Sequence, residues 1–259
     1  MRHLLRHLLR ITLWTALLIA ALPYPPLAAV VAAFVFFAVF SVFHDAAHGA
    51  LGLPPLANDV LLFATSIPLF MSAHGQRQLH LRHHARPLAD DDLEGAGALV
   101  SLPWAAITAP FSSVHMRVAS FGAVNERVRP WVAAENVANV VVVALVLAVG
   151  NEGLQLAVLT WLVLQLTMNA WASHVPHRAP QWLLKAASVF AFTGSPVVLS
   201  LVYHLEHHAH PKVPCADLRA DLAVESPLLE AAVQQPIPLP WAQLSAERPR
   251  PRSPMRLSM

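Results

Sequence analysis

The chain has 259 residues, of which 56% are hydrophobic and only 12% charged, and it carries fifteen histidines and one cysteine. Soluble domains are about 25% charged and about 45–50% apolar, so this balance points to a membrane protein. The formal net charge of +2 gives no reason to expect a nucleic-acid partner, and the single Cys215 excludes an intramolecular disulfide and a cysteine-rich zinc or iron–sulfur site.

A helix needs about 20 apolar residues to cross the hydrocarbon core. In chain order, Leu8 to Leu22, Leu27 to Phe43, Trp131 to Gly150 and Gly153 to Ala172 qualify or come close. The first has the basic start and short apolar run of a signal peptide. No small-residue cleavage site follows it, and "PYPP" leads straight into the second run, so a retained hairpin is the better reading. The loops Pro23 to Pro26 and Asn151 to Glu152 carry no Lys or Arg. All seventeen basic residues therefore fall on the other side, with Arg10 near the edge of the first span, and the positive-inside rule makes that side cytoplasmic.

Three further apolar stretches are short or broken by proline: Asp59 to Ala73, Ala98 to Val114 and Val189 to Tyr203. They read as helices buried against the bundle or lying in the interface. The expected fold is an all-α integral membrane protein, with four transmembrane helices in two hairpins and a cytoplasmic-face helical cap. Residues 1–233 form one domain in this reading. The Pro/Arg-rich tail, 234–259, is expected to be disordered or to lie on anionic head groups. Cys215 reads as a small buried residue rather than a nucleophile.

The histidines cluster as "HDAAH" (His44, His48), "HLRHH" (His80, His83, His84), "SHVPH" (His174, His177) and "HLEHHAH" (His204, His207, His208, His210). Residues three and four apart share a helix face, so each cluster can aim two or three imidazoles at one point. Neutral imidazole suits zinc, copper, iron or nickel. A pair at i, i+4 arises readily by chance; HxxxH, HxxHH and HxxHH on one membrane face do not. The ligands of these three clusters exceed what one ion holds, about six, so two ions are the economical arrangement. A metal transporter is the alternative of another class, but its spans would need ionisable residues midway, and these are nearly free of them.

The order "HDAAH", "HLRHH", "HLEHH" resembles the membrane fatty acid desaturase superfamily, which includes acyl desaturases, lipid hydroxylases and carotenoid ketolases. The resemblance covers roughly Phe43 to Leu222. It implies a di-iron centre that activates dioxygen, with His44, His48, His80, His83, His84, His204, His207 and His208 as ligands. It also implies one more histidine after the last span. His177, in "VPHR", looks like that of carotenoid ketolases, and His174 like that of many acyl desaturases. Asn169 matches an asparagine that some members add; at about 100° per residue it lies nearer the face of His177 than of His174. Asp45 and Asp91, the latter within the run Asp90 to Asp92, are expected to accept hydrogen bonds from ligating imidazoles, with His210 beside them. The alternative for the aspartate run is a solvated loop. His3, His7, His74 and His115 are expected at the interface, and Glu135 to snorkel or be paired.

The resemblance implies an oxidoreductase acting on a lipid taken from the bilayer. The leading expectation is a fatty-acyl desaturase, and the alternative a carotenoid ketolase or hydroxylase, which "HDAAHG", "VPHR" and "HHAHP" favour. No haem-binding "HPGG" occurs, so electrons are expected from a separate donor such as a ferredoxin or a reductase, docking on a basic surface near Arg77, Arg82 and Arg86.

Overall fold

The computed structural model describes residues 2–219. The expected tail and its boundary at 233/234 lie outside the described residues. Those described are helical, with no strand among them. The first hairpin is α1 (Arg2–Ala21) and α2 (Pro25–Ala47). Pro25 opens α2 at a position where its missing N–H costs nothing. The second hairpin is α6 (Arg129–Val149) and α7 (Glu152–Leu166). Asn151 caps α7, its side chain accepting from the Leu154 amide at 2.9 Å.

Helices α1, α2 and α6 are each long and apolar enough to cross a membrane. The fourth predicted span is a bent unit, in which α7 meets the segment Asn169–Arg178 at 49°. Helix α2 is the centre of the bundle. It buries Ala28, Ala32, Val35, Phe36, Val39, Val42 and Phe43 and packs against both α1 and α7. The two hairpins are joined at the end away from the histidines by a close backbone approach. A Cβ on Gly153 would stand 2.1 Å from the Leu22 carbonyl oxygen. Nearer the middle, the Trp161 indole N–H donates to the Ala32 carbonyl at 2.8 Å, a tie that gains strength where no water competes.

The remaining helices include one more pair that is long and apolar enough to span if taken together, but it is sharply bent. Helix α3 (Pro55–Leu69) turns at Phe70, which is in the left-handed region (φ 47°), and meets α4 (Ala73–Ala85) at 99°. His48 precedes this pair and His80 lies within α4, yet their Nε2 atoms are 2.8 Å apart. The segment between them thus begins and ends at the same level. Helix α5 (Leu102–Ala123) starts beside Gly97, against Asn169, and ends where Arg82 of α4 reaches the Ala123 carbonyl. Its exposed stripe is Ile107, Phe111, Val114 and Val118, while Ser113, Met116 and Ser120 face inward, as suits a helix lying against lipid.

Helices α8 (Val175–Arg178), α9 (Gln181–Ser188), α10 (Pro196–Val202) and α11 (His204–Ala209) follow. His177 and His204, on either side of α9 and α10, have Nε2 atoms 3.1 Å apart. Trp182, Val189, Phe190 and Phe192 between them are exposed. All three ambiguous stretches therefore return to the histidine end.

Gly153→Ala is expected to lower the thermal midpoint in detergent, by strain of about 1–3 kcal/mol, while Gly122→Ala, where an added Cβ meets nothing within 4 Å, leaves it unchanged. Fluorescence-detected thermal melts of both variants check this.

Candidate metal centre

Each histidine cluster lies where a helix ends or turns toward the same place. His44 is in the last turn of α2 and His48 is its C-cap. His80, His83 and His84 lie along α4, and His204, His207 and His208 on α11. His44, His48, His80 and His207 bring ring nitrogens within 4.8 Å of one another, and so do His83, His177 and His208. His84 joins the first group through His207, Nε2 to Nε2 at 3.1 Å. His204 joins the second, with its Nε2 at 3.1 Å from both His177 and His208. The stacked rings of His84 and His208, 4.2 Å between centroids, link the groups.

A neutral imidazole has one N–H and one lone pair, and the acceptor at one nitrogen decides which is which. His80 Nδ1 donates to Glu94 Oε1 at 2.6 Å, and His83 Nδ1 to Asp92 Oδ2 at 2.6 Å. His177 Nδ1 donates to the Ser173 carbonyl at 2.7 Å. His44 Nδ1 faces the Cys215 sulfur at 3.1 Å, and burial pushes that thiol's pKa well up, so the sulfur stays neutral. In His80 and His177 the Nε2 atom is then a bare lone pair. For His83 burial lowers the pKa, but the Asp92 hydrogen bond and the Glu94 and Asp92 charges outweigh it and the net shift is upward, which favours a positive charge, proton or cation, at its Nε2. Burial, and then the neighbouring imidazoles, holds His204, His207 and His208 well below the usual imidazole range. Lone pairs 2.8–3.1 Å from other ring nitrogens repel unless a proton or a cation lies between them. Nitrogens about 2.0–2.1 Å from one metal ion stand at about this spacing. The donor set fits two adjacent metal ions.

Several expected roles change. Asp91 is exposed and pairs with Arg86; the carboxylate on the site is its neighbour, Asp92. The run is not a solvated loop. With Leu88 in the left-handed region, the chain wraps Asp92, whose oxygens also accept from the Leu88 and Gly95 amides. Burial raises the Asp92 pKa, but the His83 hydrogen bond and charge outweigh it and the net shift is downward. Asp45 takes no bond from a box histidine. Its oxygens accept from His7 Nε2 at 2.9 Å and the Cys215 amide at 3.0 Å, clipping α1 and the segment after α11 onto α2. His210, expected beside the ligands, is the C-cap of α11, two residues after His208.

His177 enters the cluster and His174 does not. His174 Nδ1 donates to the Gly97 carbonyl at 2.9 Å, docking its segment on the Gly95–Leu99 turn. That approach needs Gly97, since a Cβ there would meet the Asn169 carbonyl oxygen at 2.2 Å. Asn169 to His174 is a π-helix, so reckoning by 100° per residue does not apply there. Asn169 is buried beside a small cavity lined by His44, His80, Glu94 and Gln76, and its Oδ1 has no hydrogen-bond partner.

Glu94 was not singled out by the sequence. It holds His80 and accepts from Gln76 Nε2 at 3.0 Å, and burial pushes its pKa up to about 7. Its spacing from His80 carries no periodic signal; only its place beside the aspartate run hints at it. His7 and His74, expected at the interface, are buried and paired with Asp45 and Glu135. Cys215 is buried, as read, but lies against His44.

A cavity of about 250 Å³ reaches the cluster from between α2, α8 and α10. Phe37, Phe40, Trp171, Val197 and Leu201 form its apolar wall, and His44, His80, His83, His177 and His204 its inner end.

No curated protein and no solved structure matches the chain. The fatty acid desaturase family model matches residues 19–235, a span that takes in every histidine cluster described above. With that match over most of its length, the chain belongs to the fatty acid desaturase family.

Proposed function

We propose that this protein is a membrane-bound, dioxygen-dependent di-iron oxidoreductase that introduces a C=C bond into a fatty-acyl chain. The observation that carries the reading is the pair of imidazole groups at the inner end of an apolar cavity. His44, His48, His80, His84 and His207 would hold one iron, and His83, His177, His204 and His208 the other. Asn169, with its unpartnered Oδ1 near His44 and His80, stands ready as a further oxygen donor to the first. When bound, such an iron pair supplies reduction of dioxygen and an oxidant strong enough for an unactivated C–H bond.

The chain's own part is positioning and exclusion. Glu94 and Asp92 fix the tautomers of His80 and His83, so that Nε2 faces inward. Phe37, Phe40 and Trp171 offer a hydrocarbon a water-poor wall with no charge to desolvate. The stretch that joins α8 to α10, two of the helices lining the cavity, exposes Trp182, Phe190 and Phe192, which suits entry from the bilayer. In this reading four crossings, α1, α2, α6 and the bent α7 unit, leave both termini and the histidines on the cytoplasmic side. A separate ferredoxin or reductase delivers electrons there. The three arginines expected to receive it each already bond within the chain, Arg77 to the Ala47 carbonyl, Arg82 to the Ala123 carbonyl and Arg86 to Asp91.

Lipid and pigment profiling of cells that express the protein, beside a His207→Ala control, tests the reaction. The expected result is new double bonds in acyl chains that vanish in the control; oxygenated carotenoids would favour the ketolase alternative. Asp92→Asn is expected to weaken metal retention by about 10–100-fold, and Asp91→Asn to leave it unchanged, as measured by metal content after graded chelator treatment.

A further inference from the structure

A second buried polar network lies outside the histidine cluster, and no metal ligand belongs to it. It starts at Asp59 on α3, whose side chain is 30% exposed. His74 Nε2 lies 3.5 Å from Asp59 Oδ1, is buried, and has no hydrogen-bond partner. His74 Nδ1 donates to Glu135 Oε1 at 2.7 Å, and Ser72 Oγ donates to Glu135 Oε2 at 2.6 Å. Glu135 is fully buried, and Trp131 stacks on the His74 ring at 5.1 Å and holds its plane.

Beyond Ser72 lies a cavity of about 10 Å³, bounded by Ser72, Gln76, Ser113, Ser120, Arg117 and Gln165. Its size is about that of one water, and its lining is polar enough to hold one. Gln76 and Met116 also line the next cavity, of about 20 Å³, whose other walls include His44, His80 and Asn169.

A tie whose only task is to join α4 to α6 needs Glu135, Ser72 and one nitrogen of His74. It does not need the second nitrogen, left without a hydrogen bond and turned toward a half-exposed carboxylate. Nor does it need a water-sized polar cavity behind Ser72, walled by Gln76, whose side chain donates to Glu94 beside His80. Both features are what proton transfer requires: imidazole accepts at one nitrogen and releases from the other, and a carboxylate takes a proton and hands it on when the carboxyl group turns.

We propose that Asp59, His74, Glu135 and Ser72 form a proton relay from the surface to water held between Ser72 and Gln76, the residue that reaches the histidine cluster through Glu94. The relay rests on the reading of that cluster as a dioxygen-reducing centre. Dehydrogenating –CH2–CH2– to –CH=CH– with one dioxygen yields two waters. The lipid gives two hydrogens, a reduced one-electron donor gives two electrons in two steps, and two protons must come from solvent. Asp59 admits the proton, which passes to His74 Nε2 while Nδ1–H is released to Glu135 Oε1. The Glu135 carboxyl group then turns to present that proton to Ser72 Oγ, which releases its own hydroxyl proton to the cavity water. Arg117, across that cavity, donates to the Phe70 carbonyl and carries no proton in the relay.

Two measurements on the full-length protein in nanodiscs test this. The first is dioxygen-dependent lipid turnover in H2O and D2O for wild type, Glu135→Gln and Asp59→Asn. Turnover of Glu135→Gln is expected to fall by about tenfold to a hundredfold, with a larger solvent deuterium effect and unchanged iron content and thermal midpoint. A Glu135→Gln variant with an unchanged deuterium effect, whether active or merely unstable, overturns the relay. The second needs neither iron nor turnover. Deuterium exchange at the His74 ring N–H is followed by NMR on protein carrying 15N-histidine, the signal being identified by its loss in His74→Gln. The relay predicts exchange that slows in Asp59→Asn; exchange indifferent to Asp59 overturns it. A wild type that exchanges as predicted but forms no lipid product would instead sink the proposed function.

Discussion

The arrangement depends on where each buried imidazole puts its single N–H. Once Nδ1 is committed to an acceptor, Nε2 can only offer a lone pair, and lone pairs gathered without water between them demand a cation. Glu94, Asp92 and the Ser173 carbonyl make that commitment for His80, His83 and His177. These acceptors come from a loop and a π-helical turn, not from the helices that carry most of the histidines. The centre is therefore a product of how the irregular segments fold over the ends of the regular ones.

The bundle supplies the rigid half of this arrangement. Helix α2 is gripped along its length by α1 and α7, with Gly153 against Leu22 at one end and His7 on Asp45 at the other. It delivers His44 and His48 from a fixed position. The segments that begin and end near the histidines, α3 with α4, α5, and α8 to α11, close around that point. The same segments leave an apolar opening between α2, α8 and α10, so one side of the centre faces hydrocarbon-like surroundings and the other faces polar groups.

The histidine boxes were legible because helical spacing shows in one dimension: residues three and four apart must share a face. The hairpins were legible from apolar runs and from the one-sided placement of Lys and Arg. Asp91 and Asp92 could not be told apart, because three consecutive acids in a loop have no period to read. The structure separates them by the left-handed Leu88 and the amides around Asp92. Glu94 was hidden for the same reason. His7 and His74 were misjudged because their partners, Asp45 and Glu135, are 38 and 61 residues away. At Asn169 the error was in the ruler: a π-helix does not keep the α-helical period.

The central claim is that these imidazoles hold two metal ions rather than one. Iron per chain, determined by elemental analysis of protein purified without chelator, together with the iron–nitrogen shells seen by X-ray absorption, addresses it directly. Two irons per chain in a nitrogen-rich shell is the predicted result. A single iron, or none with the fold intact, would contradict it.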